Sequence, residues 1–217
     1  MVDAAADTGP HSGWWHCAAL SPTGALSWYA VVDGGLHPDG ERVELPDDEA
    51  TRIVGERAVC TAHFTDGSVD ALLHVGGVSP DAPPLWFADL PEAGGTPPGA
   101  NLVAFSGHGI EPGRLLDRAE LRSVGISSAD QLAALRWYPQ TGEIDQVYVQ
   151  PARRREGIAS VLLVAGGTLN RARGLPRFWS DGQRTALGDR LRNTPRFERF
   201  GADLTHLAPP MTPFDQR

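Results

Sequence analysis

Short apolar runs separated by turn residues fill the first half of the chain: WWHCAAL, ALSWYAVV, ERVEL, AVCTAHFT, SVDALLHV, PLWFADL and NLVAF. Runs of this length, rich in β-branched and aromatic residues, predict strands. The clearest local signal is Asp66–Gly67 between two such runs, which suits a two-residue hairpin turn because glycine tolerates positive φ. DGGLHPDG and PEAGGTPPGA are loops by composition. From about residue 111 the texture changes. GRLLDRAELRSV has helical spacing, and SSADQLAAL offers a serine N-cap. AALRWYPQTGEIDQVYVQP predicts two strands joined by a Pro-Gln-Thr-Gly turn. GIASVLLVAGGTLNRARG predicts a helix that stops at Gly174, PRFWSD a strand, and RTALGDRLRN a short helix capped by Thr185. Strand, strand, helix, strand, helix is a mixed α/β (α+β) pattern, preceded by a β-rich region.

The distribution of charge sharpens this division. Residues 1–110 hold 3 arginines against 15 acidic residues, whereas residues 111–217 hold 16 arginines against 12. The expected organisation is a tail over 1–12, an acidic β-rich domain over 13–110 and a second domain over 111–217. An acidic surface repels nucleic acid and attracts cations, and a basic one is a home for an anion. No apolar run approaches the roughly 20 residues that span a bilayer, so no membrane association is expected. The first twelve residues carry acids and no basic, apolar leader pattern. Two cysteines make no disulfide framework, and the expected compartment is the cytoplasm. His16, Cys17, Cys60 and His63 raise the question of zinc. On extended strands each neighbouring pair points to opposite faces, so no metal site is expected.

The stretch QPARRREGIAS, residues 150–160, carries the candidate chemistry. A strand ending at Pro151, a basic turn and a helix starting near Gly157 make an anion cradle. The first N–H groups of a helix lack intrahelical partners, and its dipole favours negative charge there. Gly157 and Ala159 leave room for close approach, and Arg154 and Arg155 supply bidentate donors to phosphate oxygens. A pyrophosphate suits this arrangement. The plain alternative is a solvated turn with ordinary surface charge.

VYVQPARRREGIAS also resembles the acetyl-CoA signature of the GNAT acyltransferases, Arg/Gln-x-x-Gly-x-Gly/Ala after a strand ending Val-x-Pro. Val149, Pro151, Arg154, Gly157 and Ala159 fall in register, and the resemblance covers residues 133–201. It implies a GNAT-like mixed sheet in the C-terminal part and acetyl-CoA, or another acyl-CoA, as cofactor. The backbone of Val147, Tyr148 and Val149 would pair with pantetheine. N–H groups from Arg155 through Gly157, Ile158, Ala159 and Ser160 would hold the pyrophosphate, with Arg154 and Arg155 on the phosphates. The implied reaction is acetyl transfer to a primary amine, and the acidic half of the chain suits a cationic acceptor, small molecule or peptide.

Such transfer needs the amine deprotonated and the thioester carbonyl polarised. Glu143 stands where several family members carry the general base. Strand alternation predicts Glu143, Asp145, Val147 and Val149 on one face, making Asp145 a second candidate. Phe197, in FERFGA, stands where the family often has a tyrosine acid, and phenylalanine donates no proton; water or Ser180 would have to serve. That departure supports a second reading, a degenerate CoA-binding sensor or assembly module.

Overall fold

The computed structural model describes residues 14–20, 26–32, 35–38, 58–65, 68–70, 73, 79–173, 175–194, 197 and 202–208, the first five stretches and residues 171, 172 and 208 by backbone alone. The expected tail and the ERVEL run lie outside the described residues. Two five-stranded sheets and a central helix make up the fold. In the first sheet β1 (Trp14–Leu20) lies between β2 (Leu26–Val32) and β4 (Ala58–Thr65), with β3 (Gly35–Pro38) and β5 (Ser68–Asp70) at the edges. Thr65 pairs with Ser68, as a two-residue Asp-Gly connection requires. Val32 pairs with Gly35 in the same way. DGGLHPDG is therefore not all loop: its Gly35–Pro38 is a strand that extends the sheet.

The second sheet runs β10 (Glu143–Val149), β9 (Ala133–Tyr138), β7 (Ala100–Phe105), β6 (Trp86–Asp89), β8 (Leu115–Leu116). All neighbours are antiparallel except β6 and β8, so the sheet is mixed. Two short helical elements lie between β8 and β9. α1 (Arg118–Ser123) starts at a reciprocal cap in which Asp117 accepts from Ala119 and Glu120 N–H. Ser127 caps a single 3-10 turn, Ser128–Asp130, in place of the helix expected there, because Ala133, Leu135 and Trp137 alternate toward the core as a strand.

α2 (Ile158–Ala172) is the centre of the fold. Every residue from 161 to 170 is buried except Leu163, which is half-buried. The helix touches β7, β9 and β10 of the second sheet and also β1 and β4 of the first. A helix apolar on every side needs cover on every side, and here each sheet supplies part of it. The boundary expected at 110/111 is thereby corrected. β6 and β7 come from the acidic half yet complete the sheet of the basic half, and the first sheet covers the helix that follows the arginines. Net charge divides the chain at residue 110; burial does not.

Gly166 is the close-packed point of α2. A Cβ there would lie 2.5 Å from Leu135 Cδ2 and 3.3 Å from Phe178 Cε2. We expect Gly166→Ala to lower stability by about 1–3 kcal/mol through overpacking, despite alanine's better helix propensity. A urea-unfolding midpoint equal to or above that of the wild type would contradict it.

α3 (Ala186–Arg192) begins at Thr185, whose hydroxyl accepts from Gly188 N–H, as expected. Beside it β11 (Gln183–Thr185) and β12 (His206–Ala208) form a small parallel pair. The run PRFWSD makes no full strand. It meets β10 at one parallel bridge, Glu143 to Trp179, and then leaves it.

Candidate functional site

Among the described residues, β10 is strand-paired along one edge, and along the other it meets only a single bridge at its foot. Its pairing to β9 continues through Gln150 N–H, which donates to Leu132 O. Antiparallel alternation therefore directs the backbone groups of Gln146 and Tyr148 toward β9, and those of Val147 and Val149 to the opposite edge. At the foot of that edge Ile144 N–H donates to Trp179 O, and Trp179 N–H donates to Gly142 O. Gly142 makes this approach possible, since a Cβ there would lie 2.1 Å from Arg177 O. Above Ile144 no strand among the described residues pairs with this edge. It runs free until Arg154, whose Nε donates to Val149 O at 3.1 Å.

The edge ends at the start of α2. Val161 N–H is the first to enter the helix ladder, donating to Gly157 O. The N–H groups of Ile158, Ala159 and Ser160 have no acceptor among the described residues, the ordinary state of a helix N-terminus. The Ile158 side chain is buried in the core, so this residue offers a ligand its backbone alone.

The three arginines have separate situations. Arg153 pairs with Glu156 at 3.0 Å, and Arg154 holds Val149 O. Arg155 is exposed, has no charged or hydrogen-bonding partner among the described residues, and sits at φ 72. A left-handed backbone is unfavourable for a side chain of this size. Arg155 is the one arginine of the triplet whose guanidinium is uncommitted.

Gly157 differs from the expectation. Its φ is 74, and a Cβ there would fall 1.8 Å from Ser79 Oγ. The space that the missing side chain leaves is filled by Ser79, from the acidic half. Gly157→Ala should therefore destabilise the fold by about 2 kcal/mol or more, with or without any ligand, from the left-handed backbone and the clash together. Thermal melts of the unliganded variant matching those of the wild type would contradict this.

The expected face of β10 also needs correction. The register to β9 shifts between Ile144 and Gln146, so Asp145 is an extra residue, a β-bulge. Beyond it the parity changes. Ile144, Val147 and Val149 pack on the core around α2. Glu143, paired with Tyr138, and Gln146, paired with Arg136, lie on the outer face, where Asp145 joins them. Glu143 and Asp145 thus share a face with each other and not with Val147 and Val149. Tyr148, opposite Ala134, is on the outer face and half-buried.

The two carboxylates also differ. Asp145 accepts from Arg136 at 2.5 Å and from the Tyr138 hydroxyl at 3.0 Å. Arg136 pairs on its other side with Glu92 at 3.1 Å and lies over the Tyr138 ring at 5.2 Å. Asn101 donates to Glu92, and with Arg136 it holds that carboxyl below the usual range. This network commits the Asp145 carboxyl to the fold. The Glu143 side chain has no partner among the described residues and is half-buried.

Position 197 belongs to the core: Phe197 is buried in the cluster around α2. Ser180 Oγ accepts from Arg184 at 3.2 Å. Three residues at the foot of β10 escaped the sequence reading: Arg136, Tyr138 and Trp179. Arg136 and Tyr138, alternating with the buried Leu135 and Trp137, were the available signal for the first two. Trp179 had none, because its place follows from the Gly142 approach. Among the described residues no group of three His, Cys, Asp or Glu side chains is arranged for a metal, and no helix is long and apolar enough to cross a membrane. No protein-family model, curated protein or solved structure matches the chain.

Proposed function

We propose that the chain is a GNAT-like, acetyl-CoA-dependent N-acyltransferase of the cytoplasm acting on a primary amine. One observation carries the reading: the open edge of β10 leads from Glu143 to the free N-terminus of α2. An extended chain with amides, such as pantetheine, can pair with this strand edge through Val147 and the Val149 N–H, the Val149 carbonyl being held by Arg154. From Glu143 to Val149 the strand spans about 20 Å, at roughly 3.3 Å per residue, which separates a thioester at the foot from a pyrophosphate at the helix. There the N–H groups of Ile158, Ala159 and Ser160 and the Arg155 guanidinium would receive the phosphates.

In the reaction Glu143 takes one proton from the acceptor ammonium, the freed amine nitrogen attacks the thioester carbonyl, and the C–S bond breaks as a second nitrogen proton passes to the departing thiolate. Phe197 supplies no proton to that thiolate. Asp145, held by Arg136 and Tyr138, takes no part in the transfer. Glu143→Gln should lower the rate of amine-dependent thiol release from acetyl-CoA about 100-fold near neutral pH, within the range of general-base contributions. Acetyl-CoA affinity should stay within about twofold. A rate unchanged by Glu143→Gln would remove the assignment.

A second reading, a CoA-binding module without catalysis, draws on Phe197 and Asp145 both being committed to structure. Binding of acetyl-CoA with no amine-dependent turnover would favour it.

A further inference from the structure

Trp179 is 41% exposed on the outer face, at the foot of β10. It is held there. Its neighbour Phe178 is buried, with its ring 5.4 Å from that of Trp137, and Trp179 Nε1–H donates to Thr141 O at 3.0 Å. Its indole does not turn inward while these contacts hold. The bridge between Trp179 and Glu143 is parallel, and residues directly opposite in such a pair project to the same side. On its other flank Glu143 is paired with Tyr138. Tyr138, Glu143 and Trp179 therefore form one row across three adjacent segments.

The charges of this row do not balance. Arg136, the cation of the neighbouring position, is taken up by Glu92 and Asp145. Glu143 keeps an uncompensated carboxylate beside an exposed aromatic face. A carboxylate and an indole placed together favour one kind of guest: a cation, attracted by the charge of the first and the ring quadrupole of the second.

We infer that Trp179 and Glu143 form a seat for the acceptor's ammonium group. Resting on the transferase reading, this selects aliphatic primary amines that are protonated in solution, such as a lysine side chain or a polyamine, over arylamines and over amines flanked by a carboxylate. Trp179 is then a specificity residue: it holds the ammonium beside the carboxylate that removes its proton.

The seat can be tested without any acyl-CoA. In a 1H–15N spectrum of the whole chain the indole signal of Trp179 is assigned by its loss in Trp179→Leu. The remaining five of the six tryptophans report whether that variant is folded. Titration with n-butylammonium should shift the Trp179 signal saturably, while n-butanol, the uncharged isostere, should act at least about tenfold more weakly. Glu143→Gln should weaken n-butylammonium binding about fivefold, the scale of one charge contact at a partly exposed site. Equal responses to the two probes, or a response indifferent to Glu143→Gln, would overturn the inference while leaving the cofactor site intact. Ammonium binding in a chain that does not bind acetyl-CoA would keep the seat and remove the transferase.

Discussion

Replacing Arg155 with glycine should raise the stability of the fold and, on the acyl-CoA proposal, lower affinity for acetyl-CoA. The two effects come from two properties of one residue. Its backbone sits at φ 72, a conformation that costs an ordinary side chain about 1–2 kcal/mol and glycine almost nothing. Glycine's larger chain entropy in the unfolded state returns part of this, so the net gain is about 0.5–1 kcal/mol. The guanidinium is exposed and has no partner among the described residues, so its loss breaks no contact of the fold. A charge-assisted bond to a phosphate contributes about 1.5–3 kcal/mol, and the expected loss of affinity is about 10- to 100-fold. A solvated turn with no ligand role predicts the first effect without the second. Thermal melts and calorimetric titration of the same preparation separate the two cases.

Asn170→Leu should be the most damaging conservative substitution in the core, costing about 3 kcal/mol or more. Asn170 is 1% exposed. Its Oδ1 accepts from Trp137 Nε1 at 3.0 Å, and its Nδ2 donates to Pro176 O at 2.5 Å. One side chain thereby ties α2 to β9 and to the segment that carries Phe178 and Trp179. Leucine keeps its branched outline but leaves a buried indole N–H and a carbonyl without their partners, each a penalty of about 1–3 kcal/mol. The melting temperature should fall by roughly 6–12 °C for a chain of this size. Thr168→Val is the control. Thr168 is as deeply buried, but its hydroxyl bonds only to Val164 O of its own helix, so its loss should cost under about 1 kcal/mol. Similar melts for the two variants would contradict the account of Asn170.

Period-two and helical patterns announced β1, β2, β4, β6, β7, β9 and β10, the Thr185-capped α3 and the long α2. Local chemistry decides such elements, and local chemistry is what a sequence displays. What was hidden depends on partners far away in the chain. The run from Ile158 to Leu169 has almost no polar side, which signals cover on all faces, but nothing local says that β1 and β4 are part of that cover. The charge contrast at residue 110 pointed to a boundary that burial does not respect.

The site shows the same division. The arginine turn and the helix N-terminus were legible because a helix always leaves its first N–H groups unpaired. The role of Gly157 was not, because Ser79 arrives from 78 positions earlier in the chain. The faces of β10 were misassigned because one extra residue, Asp145, inverts the parity of everything after it, and no residue type marks a bulge. Trp179 became a site residue only once Gly142 had let residues 176 and 177 approach the foot of β10.

The central claim is that the open edge of β10 and the α2 N-terminus bind an acyl-CoA. Calorimetric titration of the whole chain with acetyl-CoA tests it most directly, with Arg155→Glu as the paired variant because that side chain lies outside the folded contacts. Micromolar binding by the wild type, weakened at least about tenfold in the variant with an unchanged melt, is the predicted result. No binding by a folded wild type, or equal binding by both, would contradict it.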